Sequence, residues 1–325
     1  SRAGGADARI AADGDDAVLD GFAVAKGQSG MYIRHCSPRV ANCLFTGNSG
    51  TLGGGMTNEG GSPTVVNCVF KQNQADIYAA GMSNMGGSPT VQDSLFEENT
   101  GCGMYNADAT VMVKRCVFRG NTRGGMRNEF TAERRSLVTV ESCLFSDNLA
   151  MGGIFSSVSI LTEPPAALQL RVTNSVFMRN TAPVGGGLYD SGSMASITNC
   201  TITQNTVFGY GSDAPGWGGG FYQDANAVTT MTNCIFWGNT AAQGPEVFVA
   251  AGTLTARYSC IPAGFGDVGT FYLNPLFLDP LNKDVRVETG SPCIDTGTAD
   301  DAPATDITGR PRPQGAGVDI GAYER

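Results

Sequence analysis

Three kinds of short apolar run alternate with glycine, asparagine, serine and proline along this chain, and they recur in a fixed order. In the first kind a small residue, an apolar residue and a phenylalanine lead to an asparagine. Its early copies are Cys43-Leu44-Phe45 with Asn48, Cys68 with Phe70 and Asn73, and Ser94 with Phe96 and Asn99. Cys116 with Phe118 and Asn121, Cys143 with Phe145 and Asn148, and Ser175 with Phe177 and Asn180 follow. The last two are Cys200, Thr203 and Asn205, and Cys234, Phe236 and Asn239. The second kind places glycine before a large apolar residue and a polar residue two places on: Met56 with Asn58, Met82 with Asn84, Met104 with Asn106, and Met126 with Asn128. Ile154, Leu188 and Phe221 take the apolar place in later copies, and Met31 in an early one. The third kind is β-branched, as in Pro63-Thr64-Val65-Val66 and Pro89-Thr90-Val91.

Each run has strand length and turn-forming boundaries. No stretch holds a 3.6-residue apolar period over the dozen or so residues that a helix requires. A fixed unit with elastic gaps, at a period in the twenties, is the mark of a solenoid with loops inserted at its corners. Three short strands per turn predict an all-β, right-handed parallel β-helix of about nine or ten coils over residues 1–260. Residues 261–325 are expected to add final coils and an irregular cap. Coils stack at about 4.8 Å, so like residues meet. The phenylalanines and the Met/Ile/Leu/Phe column should fill the bore. The asparagines should sit at a bend, in left-handed backbone, with amides bonding the next coil.

The chain has 325 residues with 45 glycines, and 16% of its residues are charged. That composition suits a tightly turned solenoid. A net charge of −9 and a pI near 4.6 argue against nucleic acid or an anionic membrane as partner. No apolar run reaches the eighteen or so residues of a membrane span. No secretory signal is seen, so the chain reads as mature or trimmed.

Of ten cysteines, Cys43, Cys68, Cys116, Cys143, Cys200, Cys234 and Cys260 are assigned to one offset, with Ser94 and Ser175 substituting. Partners in a covalent scheme are not lost singly, so these are expected to be free, buried thiols. Disulfides stay open for Cys36, Cys102, Cys260 and Cys293. With one histidine and no Cys-x-x-Cys pair, the column is not a metal site.

Segments such as Gly54-Gly55-Met56-Thr57-Asn58 and Asn67-Cys68-Val69-Phe70 resemble the repeats of bacterial secreted β-helix proteins of the polymorphic outer membrane protein type. The closing stretch, Ser291-Pro292-Cys293-Ile294-Asp295-Thr296-Gly297 and then Val318-Asp319-Ile320-Gly321-Ala322-Tyr323-Glu324, resembles that of choice-of-anchor Q surface proteins. This resemblance implies the β-helix fold and a secreted or cell-surface location, and it implies no chemistry. In such proteins earlier coils usually precede the run resembling Asp16–Phe22, whereas here only residues 1–15 do. The first coil is therefore expected to be covered by a missing segment, a partner chain or another copy of this one.

Two function classes remain. The first is a rigid shaft for adhesion, contact with an extracellular glycan, or assembly, including end-to-end filaments. The second is a polysaccharide lyase or related carbohydrate-active enzyme. Gap expansions at residues 129–136, 156–168 and 207–218 could frame a groove. Phe208, Tyr210, Asp213, Trp217 and Tyr222 are the candidate glycan contacts. Lys71, Arg119, Arg134, Arg135 and Tyr210 are the candidate catalytic residues. Lys71, Glu97 and Arg119 also read as an ion-pair row on a solvated face. Arg115, Arg123, Arg127, Arg134 and Arg135 form the one basic region, which could hold an anionic glycan. His35 reads as a surface or end residue. No cofactor is expected, although clusters at Asp13, Asp15, Asp16 and Asp20, and at Asp295, Asp300, Asp301 and Asp306, have the oxygen density Ca²⁺ prefers. Turn capping is the favoured role for these acids, and Asp295, Asp319 and Glu324 are expected to tie loops of the cap together.

Overall fold

The computed structural model describes residues 8–10, 17–131, 136–158, 168–210 and 215–325. Three all-parallel sheets run from the first described strands to Arg257, and each coil contributes one strand to each in turn. The fold is a right-handed parallel β-helix, the hand that parallel crossovers take. A coil runs from a glycine-led strand such as Met56–Glu59 to a valine strand, Thr64–Val66, and then to a phenylalanine strand, Val69–Lys71. We call the three sheets the glycine, valine and phenylalanine faces.

Register is like over like. Phe45, Phe70, Phe96, Phe118, Phe145 and Phe177 are successive partners on the phenylalanine face. Their rings stack at 4.7–4.9 Å and within 5° of parallel. Ile202, not Thr203, continues the row before Phe236; Thr203 is one residue too late and points outward. Met31, Met56, Met82, Met104, Met126, Ile154, Leu188 and Phe221 form the matching row on the glycine face, all fully buried. Burying each such side chain contributes about 1.5–3 kcal/mol.

The bore also holds two polar files. Asn73 Nδ2 donates to the Phe45 carbonyl at 2.9 Å and to Asn99 Oδ1 at 3.2 Å, while its own Oδ1 accepts from the Asn48 backbone N–H at 3.0 Å. The same set repeats through Asn99, Asn121, Asn148, Asn180 and Asn205 to Asn239. There Glu246 takes the place of the next asparagine, accepting from Asn239 Nδ2 at 2.5 Å and the Gly238 N–H at 2.8 Å. These asparagines are not themselves left-handed. The preceding residue is, as at Gln72 (φ 54°), Glu98 (φ 53°) and Gly120 (φ 63°). The bend is thus made one position earlier, which leaves the amide free to bond along the axis.

On the glycine face Asn58, Asn84, Asn106 and Asn128 form the second file, linked amide to amide at 2.8–3.3 Å. Ser156, Asp190 and Gln223 continue it. Asp190 is fully buried, accepts from Ser193 Oγ at 2.6 Å, and leaves Oδ2 without a partner. Burial pushes its carboxyl up to about 6.

All ten cysteines are buried, and no disulfide joins any of them. The thiol column is as expected except at its end, where Ser259 Oγ, not Cys260, accepts from the Cys234 N–H at 3.0 Å. His35 occupies a left-handed corner (φ 51°), stacked over Gly60.

The closing segment does more than end the shaft. It lies back along the outside of the phenylalanine face over several coils. Val285 and Ala322 pack on outward-facing Val176 and Met178. Asn174, Asn199 and Asn233 donate to the carbonyls of Thr305, Asp319 and Thr298 at 2.5, 3.1 and 2.8 Å. Within the segment, buried Arg312 pairs with Glu324 at 2.7 Å. Glu324 accepts from the Gln314 and Asp319 N–H groups, and Asp319 from those of Asp295 and Arg325. These carboxylates hold loops together.

Removing one central amide should unzip its neighbours' hydrogen bonds. We expect Asn121→Ala to cost about 2–5 kcal/mol in denaturant unfolding, since it strands buried partners on both sides; a loss under about 1 kcal/mol would rule out a cohesive file. Asp190 gives a pH signature. The folded chain holds its proton more tightly than the unfolded chain, so stability falls as pH rises from 3.8 to about 6. Asp190→Asn should abolish that slope and stabilise the protein at neutral pH by up to about 3 kcal/mol. An unchanged stability–pH profile would remove Asp190 as its source.

Candidate functional site

Because side chains alternate along a strand, the residue after each buried apolar position of the glycine face points outward. Those residues are Tyr105, Arg127, Phe155, Tyr189, Tyr222 and Phe248 on six consecutive coils. They form one continuous row. Tyr78 stacks on Tyr105 at 4.4 Å, and the Arg127 guanidinium lies 5.9 Å from the rings of both Tyr105 and Phe155. Phe155 and Tyr189 stack at 4.4 Å, Tyr189 and Tyr222 at 5.3 Å, and Tyr222 and Phe248 at 5.9 Å.

Carboxylates flank the row. Tyr105 Oη donates to Glu129 at 2.8 Å, Arg127 Nε to the same carboxylate at 2.8 Å, and Tyr189 Oη to Asp224 at 3.1 Å. Burial, and then these carboxylates, hold the Tyr105 and Tyr189 phenols above the usual phenol range. Tyr222 is shifted the same way by burial, by Asp224 and by the Tyr210 phenol. Phenols held protonated are hydrogen-bond donors and not bases.

Of the glycan contacts expected from sequence, four gather at one end of this row. Tyr222 lies within it. Trp217 tilts against Phe248 at 6.3 Å. Phe208 and Tyr210 stand beside it on the corner between the phenylalanine and glycine faces, 61% and 70% exposed. Asp213 lies outside the described residues. Rings inside the row cover one another and offer solvent their edges, whereas Phe208 and Tyr210 keep free faces.

The candidate catalytic residues are not brought together. Lys71 and Arg119 lie on the phenylalanine face, and both bind Glu97, Lys71 Nζ at 3.0 Å and Arg119 Nε at 2.9 Å. Those bonds hold the Glu97 carboxyl below the usual carboxylate range, Arg119 contributing most. Lys71 sits five coils before Tyr210, roughly 24 Å along the axis at the coil spacing. Arg134 and Arg135 lie outside the described residues. Nor is the basic region a free positive patch: Arg115 pairs with Asp93 at 2.6 Å, Arg127 with Glu129, and Arg123 Nη1 donates to the Asp76 carbonyl at 3.2 Å.

Among the described residues no three His, Cys, Asp or Glu side chains come close enough to hold a metal ion. Asp13, Asp15 and Asp16 lie outside them. Asp306 is occupied by the N–H groups of Thr308, Arg310 and Glu324.

Sequence reasoning missed Tyr78, Tyr105, Arg127, Phe155, Tyr189, Asp224 and Phe248 as neighbours. The signal was available, because an aromatic or arginine follows the apolar residue in Met104-Tyr105, Met126-Arg127, Ile154-Phe155, Leu188-Tyr189 and Phe221-Tyr222. Glu129, expected to open a loop, belongs instead to the strand Met126–Phe130.

The family-model comparison agrees with this architecture. A family model described as right handed beta helix region matches residues 4–133. Metabotropic glutamate receptor-like protein R of Dictyostelium discoideum is 30% identical over 141 residues, which is 42% of this chain and 8% of that protein. The chain thus spans a small part of the curated relative it matches. Among solved structures, pectate lyase Pel9A aligns over 99% of this chain and 86% of its own, at 14% identity and a TM-score of 0.41.

If the row is cohesive, its members should differ in a predictable way. Tyr189→Phe keeps both stacks and loses one hydrogen bond, and we expect a cost near 1 kcal/mol. Tyr189→Ala should cost about 3 kcal/mol or more. Equal, negligible effects in urea unfolding would mean that the row does not hold itself together.

Proposed function

We propose that this chain is a non-catalytic, extracellular β-helix shaft that contacts a glycan along the outer side of its glycine face. One observation carries the reading: a row of phenols, a guanidinium and carboxylates, half-buried beyond the buried Tyr105, spans six coils and ends beside two exposed aromatic rings. Sugar hydroxyls need donors and acceptors fixed in space, and their apolar faces need a free ring. The row supplies the first, and Phe208 and Tyr210 supply the second. Parallel strands make the array straight, and a straight array fits an extended polymer.

Chemistry favours binding over lyase action. A lyase needs a base beside the sugar and a cation to stabilise the charge that develops. The tyrosines here hold their protons more tightly than free phenols, and Arg127 is committed to Glu129. Lys71 and Arg119 face another side of the shaft.

The test is a panel of neutral and anionic polysaccharides, with binding and unsaturated-uronate absorbance read on the same samples. We expect binding without new absorbance. Tyr210→Ala should weaken binding by tenfold or more, a loss of about 1.4 kcal/mol, without changing the melting temperature. Release of unsaturated product would establish the lyase instead, and unchanged affinity in Tyr210→Ala would remove the aromatic corner from the contact.

A further inference from the structure

Two outward positions follow each buried apolar residue of the glycine face. The nearer carries the row already described. The farther forms a second column in unbroken register, and in it carboxylates fall on every third coil: Glu59, Glu129 and Asp224. Only uncharged residues stand between them, Met85 and Ala107 in the first gap and Ser157 and Ser191 in the second. All seven are half-buried, so the column stays open to solvent. Three coils amount to roughly 14 Å along the axis.

Each of these carboxylates is held by a phenol of the coil before it. Tyr32 Oη donates to Glu59, Tyr105 Oη to Glu129 at 2.8 Å and Tyr189 Oη to Asp224 at 3.1 Å. The same dyad therefore recurs three times at one interval. The positive charges of this face are set against these acids. Arg34 stands in register with Glu59, and Arg127 is bonded to Glu129. Asp224 has a phenol and no cation as partner among the described residues. Arg123, at the adjoining corner, donates to the Asp76 carbonyl.

We propose that the glycan held on this face is a chain without acidic groups, whose hydroxyls donate to Glu59, Glu129 and Asp224 in turn. The inference rests on the glycan reading above and narrows it to one class of ligand. A carboxylate has about four acceptor sites, and protein donors fill no more than three of them at any of these acids. Sugar hydroxyls supply the missing donors. A uronic or sulfated chain offers no donor at its charged groups. It would also lay like charges against a partly dried surface, which lowers affinity.

The test sets a neutral glucan, mannan and galactan each beside the same polymer oxidised to carboxylate at its primary alcohols. Binding to the full chain is measured at low and at physiological salt. The neutral polymer that binds should lose about tenfold or more in affinity on oxidation at low salt. The gap should narrow as salt rises, because charges at a half-open surface are screened. Glu129→Gln removes one acid and releases Arg127, so it should return about threefold or more of the affinity for the oxidised polymer without improving that for its parent. Equal or tighter binding of an oxidised polymer by the unaltered chain would overturn the ligand class and leave the glycan reading standing. Absence of binding across the whole set would overturn the glycan reading and this inference with it. The comparison on the unaltered chain decides the class even if the variant does not fold.

Discussion

Everything in this molecule is subordinate to one spacing, the distance of about 4.8 Å between hydrogen-bonded parallel strands. A side chain in one coil meets the side chain at the same offset above and below, and little else. Whatever occupies an offset must therefore tolerate its own kind at that distance. Phenyl rings, thioethers and primary amides do so inside the bore, and phenols and a guanidinium do so outside it. Charges of one sign do not, which is why Lys71, Glu97 and Arg119 alternate.

That spacing explains what could be read from sequence. The three strands, their order and the three buried columns follow from identical offsets inside each repeat, because stacking turns recurrence into contact. The asparagine file was legible for the same reason. The row on the glycine face was harder, since its members share an offset and a ring or planar cation but not a residue type. The course of the closing segment was not legible. Its contacts with Asn174, Asn199 and Asn233 span 65 to 131 residues and repeat nothing. Ser259 beside Cys260 shows a finer limit, because a slip of one position exchanges inside for outside.

The three faces end with different fates. Outward residues of the phenylalanine face become as buried as the bore where the closing segment crosses, as at Val176, Met178, Thr201 and Ile235. On earlier coils the same positions carry exposed or ion-paired side chains such as Leu44 and Lys71. The glycine face keeps its row half open. Among the described residues, the proposed contact surface is thus a side of the shaft that the closing segment leaves uncovered.

The asparagine file also has an electrical sense. In every coil the carboxamide oxygen points toward the preceding turn and the nitrogen toward the following one. Eight small dipoles therefore lie head to tail down the axis, a side-chain counterpart of the peptide dipoles aligned in an α-helix. Their electropositive terminus emerges at Asn239, and the group waiting there is the carboxylate of Glu246. An acid at that point serves as a full stop: it completes the last amide and offers no donor from which an identical rung could be built.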